Sequence, residues 1–137
     1  MKNFLFALLA IISTNAFAAP ETLSCRSLDK MPEFELTAIK VELPNTEEAM
    51  PGAWSSQTVE LFWKSEDEQL NITDKVDMRL TKLGYSDVLN GAFDIGEDFG
   101  GINMSLIYDY DNNEIVAILD ISTDGPVTMN IYRCKTK

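Results

Sequence analysis

The residues most able to do chemistry in this sequence are two cysteines and many carboxylates. Cys25 and Cys134 are its cysteines, and 22 Asp and Glu face 11 Lys and Arg. The chain has no His, which excludes Ser-His-Asp and Cys-His catalytic groups and histidine-containing metal sites. A carboxylate pair of the glycosidase type remains as a catalytic option. With so many acids that pattern has no specificity, so we expect a protein that is not an enzyme.

Two acidic segments could hold a calcium ion weakly. The hairpin tip that begins at Asp109 copies the opening of a calcium-binding loop, but Glu114 stands where such a loop has glycine. The second segment is the glycine-rich loop 94–101. The weak calcium candidates are Asp94, Glu97, Asp98, Asp109 and Asp111. Flexible acidic loops suit calcium but also plain solvation, so we predict weak calcium binding at most, no dedicated metal site and no cofactor.

The ends of the chain indicate where the protein works. Residues 1–18 combine a lysine, an apolar run and the segment Ala16-Phe17-Ala18, which is typical of a secretory signal peptide cut after Ala18. The mature chain, 19–137, is one domain in size. It would be periplasmic or secreted, an oxidising setting in which Cys25 and Cys134 are expected to form a disulfide. Such a bridge makes the terminal strands neighbours or nearly so.

The charge balance limits the partners. Removing the signal peptide takes away Lys2 and no acid, so 10 basic and 22 acidic residues remain, a net charge of −12. A chain this acidic is repelled by nucleic acid and anionic lipid, and no later stretch is long and apolar enough for a membrane span. The charge either keeps a secreted protein soluble or attracts a cationic partner.

The best-specified structure is a hairpin over residues 101–122. Apolar residues alternate on both sides of Asn112-Asn113, the period of half-buried strands, and Asn tolerates the positive φ of a two-residue turn. The predicted pairs are Tyr110 with Ile115, Tyr108 with Ala117, Leu106 with Leu119 and Met104 with Ile121.

Seven or eight short strands with turns between them predict a single all-β antiparallel domain, either a β-barrel or a β-sandwich. A change in apolar parity within 33–43 indicates a β-bulge. Residues 69–83 fit a strand better than a helix, and 84–101 are predicted to be irregular. A three-residue loop, 124–126, would pair Met129 with Ile121 and Ile131 with Leu119. That register puts Cys134 on the outer face, which counts against a simple closed barrel. A sandwich or a terminal bulge would accommodate it.

The same pairing predicts an apolar patch on the outer face. The patch residues are Ile107, Val116, Ile118 and Tyr132. Adjacent apolar residues on a water-facing wall indicate a contact surface, unless segment 84–101 or loop 44–56 covers them. Met50 and Trp54 in that loop either fold back to close one end of the core, which we favour, or form a second contact.

These features predict a small extracytoplasmic binding protein without catalysis. The expected partner is another protein, and a basic one would suit an inhibitor-like role. One alternative is a lipocalin-like carrier of a small apolar ligand, which requires a hollow barrel. In the binding protein, Phe34, Trp63 and Tyr108 should fill the interior instead. A second alternative is a carboxylate-dependent hydrolase, which requires a deep cleft with two close carboxylates.

Overall fold

A computed structural model of the chain describes residues 17–28, 35–94, 100–122 and 127–137. These residues form eight strands, with no helix among them. The strands are β1 (Phe17–Ser27), β2 (Glu35–Pro44), β3 (Trp54–Lys64), β4 (Gln69–Lys82), β5 (Asp87–Asp94), β6 (Gly101–Asp109), β7 (Glu114–Ser122) and β8 (Thr128–Thr136). Each strand pairs antiparallel with the next, and β1 pairs with β8 to close a barrel. The all-β prediction is confirmed, and a barrel rather than a sandwich is observed.

The disulfide lies at the seam where the barrel closes. Cys25 of β1 and Cys134 of β8 are directly opposite each other, with their Cα atoms 4.1 Å apart, and they form the predicted bridge. The bridge joins residues 109 positions apart in sequence. It therefore constrains the unfolded chain over most of its length.

The hairpin of β6 and β7 forms in a register two residues away from the predicted one. Tyr108 pairs with Ile115 and Asp109 with Glu114, so the turn is 110–113 and the two-residue turn is wrong. Tyr110 leaves the ladder because its ring stacks on Tyr108 and its hydroxyl donates to Asp87 Oδ2 at 2.7 Å. A shift of two residues keeps each side chain that remains in the ladder on its predicted face, whereas Tyr110, predicted to face the core, is exposed. The expected positive φ occurs at Asn113, where φ is 52°.

Two other expectations for the strands are confirmed. The bulge in β2 falls at Thr37, because Leu36 pairs with Trp63 while Ala38 pairs with the next residue of β3, Phe62. Residues 69–82 form a strand. Its buried side chains recur at every second position, namely Val76, Met78 and Leu80.

The segment 84–101, predicted to be irregular, contains strand β5. Gly91 hid the strand by interrupting its apolar face. The structure shows why glycine fits there: a Cβ atom at residue 91 would lie 2.7 Å from Val76 Cγ1 and would also collide with the Met78 side chain. Side chains of β4 therefore occupy the interior space beside Gly91.

The predicted register of β8 is wrong, and its faces are exchanged. Ile121 pairs with Thr128 and Ile118 with Ile131. Tyr132 and Cys134 therefore face the interior, where they are 1% and 0% exposed. The disulfide explains the register, because Cys25 shares the interior face with Leu23 and its partner must face the same way.

The barrel interior is occupied by one continuous cluster of buried side chains. Within it, Trp63 and Tyr132 meet edge to face, with ring centroids 6.1 Å apart. Tyr108 is half-buried, and Phe34 lies outside the described residues. Aliphatic, methionine and phenylalanine side chains complete the cluster.

Candidate binding surface

Five apolar side chains lie next to one another on the outer face of β5 to β8. Ile107 pairs with Val88 on one side and with Val116 on the other. Ile118 follows Val116 on the same face and pairs with Ile131. All five are half-buried and so partly open to solvent. We call this set, Val88, Ile107, Val116, Ile118 and Ile131, the apolar wall.

The apolar wall contains three of the four residues predicted for the outer patch. Ile107, Val116 and Ile118 lie together as expected, but Tyr132 is buried and its neighbour Ile131 takes the outer position. Val88 was missed because its segment was predicted to be irregular. The signal that could have found it is the spacing of Leu89 and Phe93, which share the interior face at a period of two and so place Val88 on the outer face.

Neither segment expected to cover the patch does so in the described part of the chain. Residues 87–94 form strand β5, which lies in the sheet and contributes Val88 to the wall. The β2–β3 loop instead lies along β4, where Gly52 N donates to Leu80 O at 2.8 Å and Lys82 Nζ donates to Thr46 O at 2.5 Å. The wall residues keep part of their surface exposed.

A charged residue borders each end of the apolar wall. Asp120 lies beyond Ile118 on β7, opposite Asn103 and Met129. Its Oδ1 atom is buried and finds no hydrogen-bond partner among the described residues. Arg133 lies at the other end, directly opposite Val116.

Glu114 lies beside Arg133 and binds two cations. Its carboxylate contacts Arg133 Nη1 at 3.1 Å and Lys135 Nζ at 3.0 Å, and the residue is 8% exposed. The hydrogen bond from Lys135, reinforced by Arg133, holds the pKa of Glu114 below its ordinary value against the opposing effect of burial. Glu114 therefore stays ionised and orders both cationic side chains.

Met50 and Trp54 are 76% and 60% exposed, so the expectation that they fold back into the core is wrong. Ala49 closes this end instead, because its N–H donates to Asn45 O at 2.7 Å and the turn carries the small side chain inward. The loops that follow β2, β4 and β6 share one end of an up-and-down barrel. They expose further large side chains: Leu83 and Tyr85, and also Tyr110, which was predicted to pair with Ile115 in the hairpin.

A cleft of about 240 Å³ opens at this loop end, beside Leu43, Tyr108 and Tyr110. The two tyrosine rings are stacked with centroids 5.9 Å apart. The Tyr108 hydroxyl is buried with no hydrogen-bond partner in the described ranges. Burial, followed by the nearby negative groups, raises the pKa of Tyr108.

The calcium candidates that the structure describes, Asp94, Asp109 and Asp111, do not form a metal-binding group. The Asp109 carboxylate accepts hydrogen bonds from Asn112 N and Nδ2 at 3.2 and 2.9 Å, which lowers the pKa of Asp109. Asp94 donates its N–H to Asp74 Oδ2, Asp111 is exposed, and Glu97 and Asp98 lie outside the described residues. The described residues contain no group of three or more His, Cys, Asp or Glu arranged to hold a metal.

A scan against protein-family models and searches of curated proteins and solved structures found no match to this chain. Within the described residues, no helix has the length and apolar character needed to cross a membrane.

Proposed function

We propose that the protein is a non-catalytic binding protein that recognises another protein through the apolar wall. The observation that carries this proposal is the continuity of five partly exposed apolar side chains across four strands. An antiparallel wall that faces water alternates apolar-in with polar-out, and adjacent exposed apolar groups mark contact surfaces more than scattered ones do.

The partner is a basic protein. A net charge of −12 on the mature chain attracts cations at long range and raises association rates. At short range, the partly exposed side chain of Asp120 places a carboxylate beside Ile118 on the outer face of β7. A lysine or arginine of the partner would pair with this carboxylate while apolar side chains cover the wall.

The encounter takes place outside the cytoplasm. The disulfide between Cys25 and Cys134 is compatible with an extracytoplasmic compartment, and residues 1–18 have the pattern of a signal peptide. With cleavage after Ala18, β1 would begin at Ala19 and keep both its disulfide and its pairing with β8.

The filled interior favours this function over a lipocalin-like carrier. A carrier needs a hollow barrel for its ligand, whereas Trp63 and Tyr132 meet inside this one and are surrounded by other buried side chains.

The test is capture of a partner by the immobilised mature protein from the extracytoplasmic fraction of the organism that makes it. Ile118→Asp puts a charge in the centre of the apolar wall and should abolish capture, while stability changes by no more than about 1 kcal/mol. The control is Phe62→Asp, which also replaces an apolar side chain by aspartate at a half-buried outward position, here on β3, and it should leave capture intact.

Two outcomes would count against the proposal. Equal loss of capture in both variants would show that the wall is not the contact. Unfolding of the Ile118→Asp protein would show that the wall belongs to the core.

A further inference from the structure

A cationic groove crosses the outer face of the seam between β1 and β8. Arg26 lies directly opposite Arg133, and Ser24 lies directly opposite Lys135. These four residues, together with Cys25 and Glu114, line a groove of about 340 Å³. We call it the seam groove.

The pairing in the seam groove opposes stability. Like charges directly opposite each other on neighbouring strands repel, and Arg26 and Arg133 occupy such positions. These two and Lys135 are three of only 10 basic residues in the mature chain. Residue pairs that disfavour folding are expected mainly at functional sites.

The charge of the seam groove is only partly neutralised. Glu114 is the carboxylate among its described lining residues, and its two oxygens are bound to Arg133 and Lys135. Arg26 has no ion-pair partner within the described ranges of the chain. Three cations and one carboxylate leave a net charge of two positive.

We propose that the seam groove binds a tetrahedral oxyanion of the phosphate or sulfate class. A dianion matches the uncompensated charge of the groove, and arginine forks bind such oxygens in pairs. The Arg26 guanidinium supplies the free fork, Arg133 provides a second cation, and the Ser24 hydroxyl can donate a further hydrogen bond. Bound anion would also screen the repulsion between the two arginines. This site is independent of the apolar wall and of the function proposed for it.

The test is a titration of the folded mature protein with inorganic phosphate at constant ionic strength, followed by backbone amide NMR shifts and by the melting temperature. Shifts should concentrate at residues 24–26 and 133–135, and the melting temperature should rise with the logarithm of phosphate concentration. Arg26→Gln should weaken binding about tenfold or more, as expected for a lost charge-assisted hydrogen bond.

Arg79→Gln is the matched control, because it removes the same charge from an exposed position on β4. It should leave phosphate binding unchanged. Without phosphate, Arg26→Gln should melt at the same temperature as the wild type or higher, since it removes a like-charge pair.

Vesicles of phosphatidylcholine, with and without phosphatidic acid, separate a free anion from a lipid headgroup. We expect no cosedimentation with either, since the net charge repels anionic membranes. Cosedimentation that needs phosphatidic acid and Arg26 would keep the site and make the headgroup its ligand. Absence of binding to both probes, or equal weakening in Arg26→Gln and Arg79→Gln, would overturn the proposal.

Discussion

The outer wall of β2 to β4 and the outer wall of β5 to β8 enclose the same core but meet the solvent differently. On the first, Lys40 and Glu60 form an ion pair at 2.7 Å, and Asp77 and Arg79 are exposed. Its large apolar residues, Trp54 and Phe62, lie near opposite ends of β3. On the second, five apolar side chains are contiguous.

This difference separates what the fold requires from what it does not. Both halves of the barrel need alternating apolar residues on their inner faces to bury a core. The outer wall of β2 to β4, which we call the polar wall, shows that an outer face of this barrel needs no contiguous apolar residues in order to fold. The fold therefore does not explain the apolar wall on β5 to β8, and we propose that recognition of a partner does.

The largest expected effect separates the two faces of β8. Tyr132→Ala should destabilise the protein by roughly 3–5 kcal/mol, because it empties the space of a buried aromatic ring in contact with Trp63. Ile131→Ser, one residue away on the outer face, should cost no more than about 1 kcal/mol. Urea unfolding of both variants measures the contrast, and a greater cost at Ile131 would reverse the assignment of faces.

Loss of the seam disulfide should have the next largest effect. Cys134→Ser should reduce stability by roughly 2–5 kcal/mol, as is typical for a small disulfide-bonded domain. Chemical denaturation with and without reductant tests this, and reductant should lower only the wild-type midpoint. Before reduction, treatment of the wild-type protein with a thiol label should leave its intact mass unchanged. An unchanged midpoint in the variant would show that the bridge contributes nothing to stability.

The smallest expected effect concerns alkaline pH at the loop end. The folded barrel keeps the Tyr108 proton because burial raises its pKa, whereas the unfolded chain loses it near pH 10. The stabilisation is complete below that pH and declines as pH rises above it. Tyr108→Phe should make stability less sensitive to pH there, as measured by urea midpoints between about pH 8 and 11. Identical slopes for both proteins would contradict the burial of the phenol.

Much of the fold could be predicted because a period of two specifies which residues face the core. It identified β3, β4, β6 and β7 and placed Ile107, Val116 and Ile118 on the outer face. The cysteine pair predicted that β1 and β8 are neighbours. Registers were harder, because hairpin loops of two and four residues keep the same residues on each face and therefore suit the same apolar pattern.

Side-chain contacts specific to the tertiary structure explain the errors. Tyr110 leaves the hairpin ladder for Asp87, and Gly91 hides β5 because side chains of β4 fill its place. The disulfide sets the face of Tyr132. The predicted register put Cys134 on the outer face, which counted against a simple closed barrel, and this conflict was the available clue. The seam groove had a signal in the sequence that the analysis did not use: Arg26 and Arg133 are the immediate neighbours of the two cysteines, so a bridge between antiparallel terminal strands places them opposite each other.

Site-specific photocrosslinking tests the recognition surface most directly. When the protein is produced in its native compartment, a benzophenone amino acid at position 118 should give a covalent adduct with a basic partner protein. The same probe at position 62, on the polar wall, should give none. Adducts from position 62, or from exposed loop-end positions 54 and 85 but not from 118, would contradict the account and place recognition elsewhere on the barrel.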